Sequence, residues 1–154
     1  MNQAHIHLIV NHLPILGSLF AAVLLAAGVL QKNLSLTRAG LVGVLAAGLL
    51  CIPAQLTGEG AAEIVRDMPR VSRALIENHA AAAEKGFWAL EGAAALALFS
   101  LLLLKNASPR ARLLTLLTLA LAFVSFGLLG RAGNLGGQIR HTEIRDGFGT
   151  PDEL

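Results

Sequence analysis

Residues 1–31 read MNQAHIHLIVNHLPILGSLFAAVLLAAGVLQ and contain no Lys, Arg, Asp or Glu. Three more uncharged stretches follow along the chain, at residues 39–58, 92–104 and 113–130. At a helical rise of about 1.5 Å per residue, each stretch is long enough to cross most or all of a hydrocarbon core about 30 Å thick. The spacing of the charges therefore predicts four transmembrane helices.

The composition of the whole chain agrees with this prediction. Of the 154 residues, 55% are hydrophobic and 14% are charged, and the mean hydropathy is +0.64. A water-soluble four-helix bundle carries charge on every exposed face, so that alternative fits poorly. We expect a single all-α domain, an integral membrane four-helix bundle, with helices at about residues 6–30, 36–56, 78–104 and 110–133.

The start of the first helix depends on Pro14. This proline either lies in the first helical turn, with Asn11 as the cap, or kinks a helix that begins earlier. The residues before it lack the basic segment of a cleavable signal peptide, so we expect the first hydrophobic segment to be retained.

Two polar segments lie outside the predicted helices. Within the connection 59–77, apolar residues recur at intervals of four, three and four, namely Ile64, Met68, Val71 and Leu75. This period predicts an extra amphipathic helix on the membrane surface between the second and third helices. Residues 134–154 are rich in glycine and polar residues, and we expect them to form a polar tail.

The two short turns between the predicted helices carry basic charge without any acid. Their basic residues are Lys32, Arg38, Lys105, Arg110 and Arg112. Four crossings place these turns on one face and both termini on the other, and the positive-inside rule then predicts cytoplasmic turns and periplasmic termini. The total Lys and Arg count on the two faces, five against seven, does not support this orientation. The prediction rests on the first helix, which has no charge before it and Lys32 and Arg38 after it.

By this topology all five histidines lie toward the face of the termini: His5, His7, His12, His79 and His141. Imidazoles gathered at one level of a membrane suit a bound haem or metal, and bis-histidine haem takes one imidazole on each side of the iron. His7 and His12 are five residues apart, about 140° around a regular helix, so both cannot bind one iron. Each would serve a separate centre, paired with His79 or His141. The alternative is a set of hydrogen-bonded interfacial histidines.

Charged residues near these histidines are candidates for supporting roles. Glu91 lies well inside the third predicted helix, where it would relay protons, bind a haem propionate in its protonated form, or simply be satisfied by a neighbouring helix. Arg131 and Arg140 would hold propionates or lipid phosphates. Four further carboxylates are candidate metal ligands or solvated surface residues: Glu59, Glu63, Glu77 and Glu143.

Several function classes find no support in the sequence. Cys51 is the only cysteine, which argues against disulfide frameworks, iron–sulfur clusters and covalent c-type haem. The basic residues are spread over loops despite a pI near 9.2, so no nucleic-acid partner is expected. Neither a GxSxG nor an HExxH motif occurs.

Two stretches of the chain resemble a bacterial family of small four-helix membrane proteins. Residues 7–15 read HLIVNHLPI and are similar to the family's opening HPxxVHFPI, with Leu8 in place of the first proline. Residues 135–149 read LGGQIRHTEIRDGFG and resemble the closing LGGxLVYxHG, and His79 matches a histidine at the start of the third helix. Members occur alone or fused to Rieske or c-type cytochrome modules. The resemblance implies electron transfer near the outer face of a bacterial inner membrane.

These observations favour a b-type haem protein that transfers electrons, with one or two haems bound by His7, His12, His79 and His141. Quinol and a periplasmic or membrane cytochrome or Rieske protein are the expected redox partners, and the chain would be an electron-transfer subunit of an oxidoreductase, in a larger complex or a homo-oligomer. One alternative is a non-haem Fe, Mn or Zn site, or a metal permease, that uses the same histidines with the four carboxylates. The other is a structural subunit that binds only helices and lipid.

Overall fold

The computed structural model describes residues 1–104, 108–145 and 147. It contains five α-helices and one short 3-10 turn: α1 Gln3–Val10, α2 His12–Leu30, α3 Leu34–Val65, α4 Arg73–Leu103, α5 Pro109–Arg140, and the turn Thr142–Ile144. No strand occurs within those residues. The predicted all-α class is confirmed.

Four spans of the chain are long and apolar enough to cross a membrane. The first comprises α1 and α2 together, Gln3–Leu30, and the others are α3, α4 and α5. The spans are 28 to 32 residues long, which exceeds the roughly 20 residues that a bilayer core requires. The protein is therefore a multi-pass membrane protein built as a four-helix bundle, as the charge spacing predicts.

Large and small side chains are distributed in the way a lipid environment demands. Large apolar residues point outward: Phe20 is 70% exposed, Leu56 is 74% exposed and Phe99 is 56% exposed. The interior is instead lined largely by alanine, and its buried polar residues are Ser18, Ser100, Thr115, Thr118 and Ser125. Small interior residues let helix backbones approach closely, because van der Waals packing drives helix association in lipid.

The α2–α3 hairpin shows how close this packing is. A Cβ atom added to Gly40 would lie 2.5 Å from the Cα atom of Leu25, so only glycine fits at this crossing. The buried residues Gly40, Leu41, Val44, Ala47 and Gly48 form a packing face of α3.

The first span is interrupted at Asn11, three residues before Pro14. The proline has no N–H to donate to the Val10 carbonyl, and its ring crowds that oxygen. Pro14 thus lies in the first turn of α2, and a separate helix, α1, precedes it. Asn11 makes no side-chain cap bond, and its Oδ1 atom is buried without a partner. Pro14 therefore lies in the first turn of a helix, as one sequence alternative has it, and another helix begins before it, as the second alternative has it.

The predicted surface helix at 59–77 is wrong. The α3 helix continues through Thr57-Gly58-Glu59-Gly60 to Val65, and α4 already begins at Arg73. Glycine weakens an isolated helix by about 1 kcal/mol, but these glycines face α1 closely, with Gly58 beside the His7 ring and Gly60 against Gln3. Packing against α1 thus stabilises the extension of α3. Only residues 66–72 connect the two helices, and Arg70 turns the chain with a φ of 64°.

The predicted polar tail also begins too early. Residues 134–140 belong to α5, which ends at Arg140 rather than near residue 133. Glycines at 133, 136 and 137 are tolerated because neighbouring side chains pack directly against the helix there. The rest of the tail beyond residue 145 lies outside the described residues, except Gly147, and so does part of the last turn at residues 105–107.

Candidate functional site

Two histidines from different spans meet inside the end of the bundle that carries the termini. His7 lies on α1 and His79 lies near the start of α4, and both are half-buried. The centroids of their rings are 6.3 Å apart, and the ring planes stand at 89° to each other. The fold thereby joins two residues separated by 72 positions in sequence.

The His7 ring is held by α3. Its Nδ1 atom lies 3.0 Å from the carbonyl oxygen of Ala54 and 3.2 Å from Oγ1 of Thr57. The Thr57 hydroxyl itself donates to the Pro53 carbonyl at 2.8 Å, which leaves its lone pairs to accept from His7. Because a carbonyl oxygen only accepts, Nδ1 is the nitrogen that carries the proton. The neutral ring then keeps a free lone pair on Nε2.

The His79 ring is held in the same manner by α5. Its Nδ1 atom donates to the carbonyl oxygen of Ala132 at 2.7 Å. Gly136 lies one turn further along α5, and a Cβ atom added there would be 3.0 Å from Cε1 and 3.1 Å from Nδ1 of the ring. The absence of a side chain at this position therefore makes room for the imidazole, and in the neutral form of the ring Nε2 is the nitrogen with a lone pair.

This arrangement has the features of a pair of metal ligands. A backbone carbonyl that accepts from one ring nitrogen fixes the tautomer and orientation of a ligating histidine. With metal–nitrogen bonds of about 2.0 Å, two imidazoles on opposite sides of one metal ion would have their centroids about 6 Å apart. A direct N–H···N hydrogen bond of about 3 Å would bring them to about 5 Å instead. The observed centroid distance of 6.3 Å is longer than a direct hydrogen bond would give, and it is compatible with two ligands on opposite sides of one metal ion.

The remaining predicted histidine ligands lie elsewhere. His12 begins α2 beyond the break at Asn11 and is exposed. His141 follows the end of α5, is also exposed, and bonds through Nδ1 to Oε1 of Glu143 at 2.8 Å. A hydrogen bond from the Glu143 backbone amide, and then the bond from His141, lower the pKa of the Glu143 carboxyl. The structure thus brings two of the four predicted ligands together.

The candidate carboxylates do not join the histidine pair. Glu59, Glu63 and Glu77 are exposed, and Glu143 is engaged by His141. In residues 1–104, 108–145 and 147, no three His, Cys, Asp or Glu side chains are grouped so as to hold a metal ion.

Glu91 lies deeper in the bundle than the histidine pair. It is twelve residues beyond His79 on α4, about 18 Å along the helix axis. Its Oε1 atom is buried without a hydrogen-bond partner, and both carboxyl oxygens approach the backbone of α3 at Gly48. Its predicted role toward a haem propionate or a proton stays a prediction.

The predicted arginines lie at the surface. Arg131 is exposed and directly precedes Ala132, whose carbonyl accepts from His79. Arg140 is exposed, and its Nη1 atom lies 3.4 Å from Sδ of Met68 in the connection between α3 and α4. Their predicted contacts with propionates stay predictions.

Arg145 organises this end of the bundle, although the sequence does not single it out. Its guanidinium donates to the carbonyls of Gln138 at 2.8 Å and Ile139 at 3.0 Å, which caps the last turn of α5. It also donates to the Arg70 carbonyl at 3.0 Å and so ties α5 to the 66–72 connection. A basic residue just after a helix is a recognisable capping signal, but the link to Arg70 depends on the tertiary structure.

The chain matches no protein-family model, no curated protein and no solved structure. The resemblance to the four-helix bacterial family therefore stays a prediction. The case for a function rests on the His7–His79 pair.

Proposed function

We propose that the protein is a membrane-bound b-type haem protein that transfers electrons, with His7 and His79 as the two axial ligands. The observation that carries this proposal is the pair of imidazoles 6.3 Å apart, each with Nδ1 bound to a backbone carbonyl. Haem iron needs only two protein ligands, and they come from different helices in a bundle.

The residues of this chain have three tasks in the proposal. Ala54 and Thr57 orient His7, and Ala132 orients His79, through their Nδ1 atoms, so that Nε2 of each ring would be the iron ligand. Gly136 leaves space beside the His79 ring. A bound haem supplies one-electron exchange at iron, and the carbonyl bonds to the ligand imidazoles raise their basicity and so tune that exchange.

The alternative of a non-haem Fe, Mn or Zn site is less well supported. Such ions ordinarily take three or more protein ligands, and the carboxylates proposed to supply them are exposed or bound elsewhere. A second haem bound by His12 and His141 is likewise less well supported, because both side chains are exposed. Two imidazoles satisfy haem iron without further protein ligands.

The position of the pair also suits electron exchange at a membrane surface. His7 lies 23 residues before the end of the first span at Leu30, which is about 35 Å along a helix. A haem there would be near the membrane surface, at the end of the bundle that carries the termini. It would be within reach of a quinol in the bilayer and of a cytochrome or Rieske protein outside it. The charge asymmetry around the first span, with no charge before it and Lys32 and Arg38 after it, favours a periplasmic location for that face in a bacterial inner membrane.

The test is an absorption spectrum of the detergent-purified protein, first oxidised and then reduced with dithionite. We expect Soret and α bands in the wild type, and loss of most of the bound haem in His7→Ala and His79→Ala. The matched controls are His12→Ala and His141→Ala, which remove exposed imidazoles and should retain the bands.

Other outcomes would overturn the proposal. A featureless spectrum of protein from haem-replete cells would exclude it, and stoichiometric metal by elemental analysis would then select the non-haem alternative. Retention of haem in the His7→Ala, His79→Ala double variant would show that these residues are not the ligands. A folded protein without haem or metal would indicate a structural subunit.

A further inference from the structure

The end of the bundle opposite the histidine pair contains an open cavity of about 420 Å³ between the α2–α3 turn and the start of α5. Its size falls within the range of roughly 300–1,000 Å³ that is typical of small-molecule sites. Apolar side chains supply much of its lining: Val29, Leu34, Leu104 and Leu116. Lys32 and Arg112 line it as well, from the α2–α3 turn and from the first turn of α5.

Lys32 has a backbone conformation that favours glycine. It follows the end of α2 with a φ of 51°, and its neighbour Asn33 bonds back to the Gly28 carbonyl at 2.9 Å. This is the position where helices usually place glycine, because a Cβ atom is strained there. Lys32 stands at this position although glycine would be less strained, and its side chain is one of the two basic side chains that line the cavity.

The charges around the cavity are of one sign. No acidic residue is among its described lining residues, and residues 31–58 and 92–130 of the sequence contain no Asp or Glu. Ser108 also lines the cavity, and its Oγ atom accepts from the amide of Arg110 at 3.2 Å. The hydroxyl proton of Ser108 therefore remains available to an anionic ligand.

We infer that this cavity binds one anionic phospholipid. The headgroup phosphate would lie between Lys32 and Arg112, and an acyl chain would follow the apolar lining toward Leu104 and Leu116. The cavity lies at the end of four membrane spans, where headgroups and acyl chains meet, and basic pockets between transmembrane helices bind anionic headgroups. This inference does not depend on the proposed haem.

The experiment is native mass spectrometry of the detergent-purified protein, titrated with phosphatidylglycerol and, separately, with phosphatidylcholine. We expect a preference for phosphatidylglycerol that falls about fivefold in Lys32→Gly and about fivefold in Arg112→Gln. Lys32→Gly relieves the backbone strain, so its thermal stability should be at least that of the wild type. A weaker lipid preference in this variant would therefore not reflect misfolding.

The matched control is Arg38→Gln, which removes an exposed basic residue of the same face that does not line the cavity. It should keep the wild-type preference. An equal loss in Arg38→Gln would show a diffuse surface charge and overturn the site, as would equal binding of the two lipids by the wild type. Displacement of phosphatidylglycerol by inorganic phosphate at equal concentration would overturn the assignment to a lipid.

Discussion

At the end of the bundle that carries the termini, three side chains bond across long stretches of sequence, whereas the described side-chain bonds at the turn end join residues no more than 15 positions apart. His7 contacts α3 over 47 positions, His79 contacts α5 over 53, and Arg145 reaches Arg70 over 75. At the turn end, Thr37 bonds to Asn33 and Ser100 bonds to Thr115, four and 15 positions away. The candidate cofactor site thus forms only when all four spans are packed, while the turn end is built from two local hairpins.

This difference predicts that a small change at the end of the bundle that carries the termini affects the protein more than a small change at the turn end. In Gly136→Ala the added Cβ would lie 3.0 Å from Cε1 and 3.1 Å from Nδ1 of His79, so the ring must shift and its bond to the Ala132 carbonyl is weakened. Overpacking of this kind costs about 1–3 kcal/mol. We expect a lower thermal unfolding temperature and, if haem is bound as proposed, loss of most of the Soret absorbance per protein.

Gly130→Ala is the control, because a Cβ atom at Gly130 meets nothing within 4 Å. It should be neutral or should stabilise α5 by up to about 1 kcal/mol. Equal behaviour of the two variants would mean that Gly136 is not needed to accommodate His79.

A substitution at the turn end tests the other side of the comparison. Ser100 and Thr115 join α4 to α5 through a hydroxyl–hydroxyl bond of 2.6 Å, and Thr115 also bonds to the Ala111 carbonyl of its own helix. Hydrogen bonds between membrane helices contribute about 0.6 kcal/mol on average and about 1.7 at most. Ser100→Ala should therefore lower the free energy of unfolding by that amount and leave any haem spectrum unchanged.

Ser125→Ala provides the matched control, since the Ser125 hydroxyl bonds only to the Leu121 carbonyl within α5. Its effect should be smaller than that of Ser100→Ala. A change in the haem spectrum of Ser100→Ala would show that the two ends of the bundle are coupled.

The smallest expected effect is the pH dependence of the stability that the exposed pair of Glu143 and His141 contributes. The pKa of Glu143 is lowered in the folded protein, first by its backbone amide and then by His141. A lowered carboxyl pKa stabilises the folded state above the ordinary glutamate pKa of about 4.3, and this contribution is lost as the pH falls through the lower, folded value.

We expect amide protection of residues 142–144 to decrease below about pH 4 in the wild type, and the decrease to be absent in Glu143→Gln. Hydrogen exchange between pH 3 and pH 7, corrected for the intrinsic exchange rate, measures this amide protection. An identical pH profile in the variant would mean that the carboxylate does not hold the turn.

The helix ends show where sequence patterns are insufficient. Polar and glycine residues near 57–60 and 133–137 predict helix termination by their intrinsic propensities. In the structure α3 and α5 continue beyond them, because Gly58 faces His7 and Gly136 faces His79. Those contacts join distant parts of the chain, so a local pattern does not reveal them.

The candidate site divides in the same way. The end of the bundle at which the histidines lie follows from the order of charged and uncharged stretches. The choice of His7 with His79, rather than His12 or His141, follows from helix rotation and packing. The backbone carbonyls of Ala54 and Ala132 complete the site, and alanine side chains give no signal of that role.

The sequence by itself determined the number of spans, the all-α class and the concentration of histidines at one end, because hydrophobic length and charge exclusion act locally along the chain. The tertiary structure alone decided which imidazoles meet, how far α3 and α5 extend, and that Lys32 and Arg112 share a cavity. The physical reason is that these features depend on the close approach of helices through small residues, which is a property of pairs of segments and not of either segment alone.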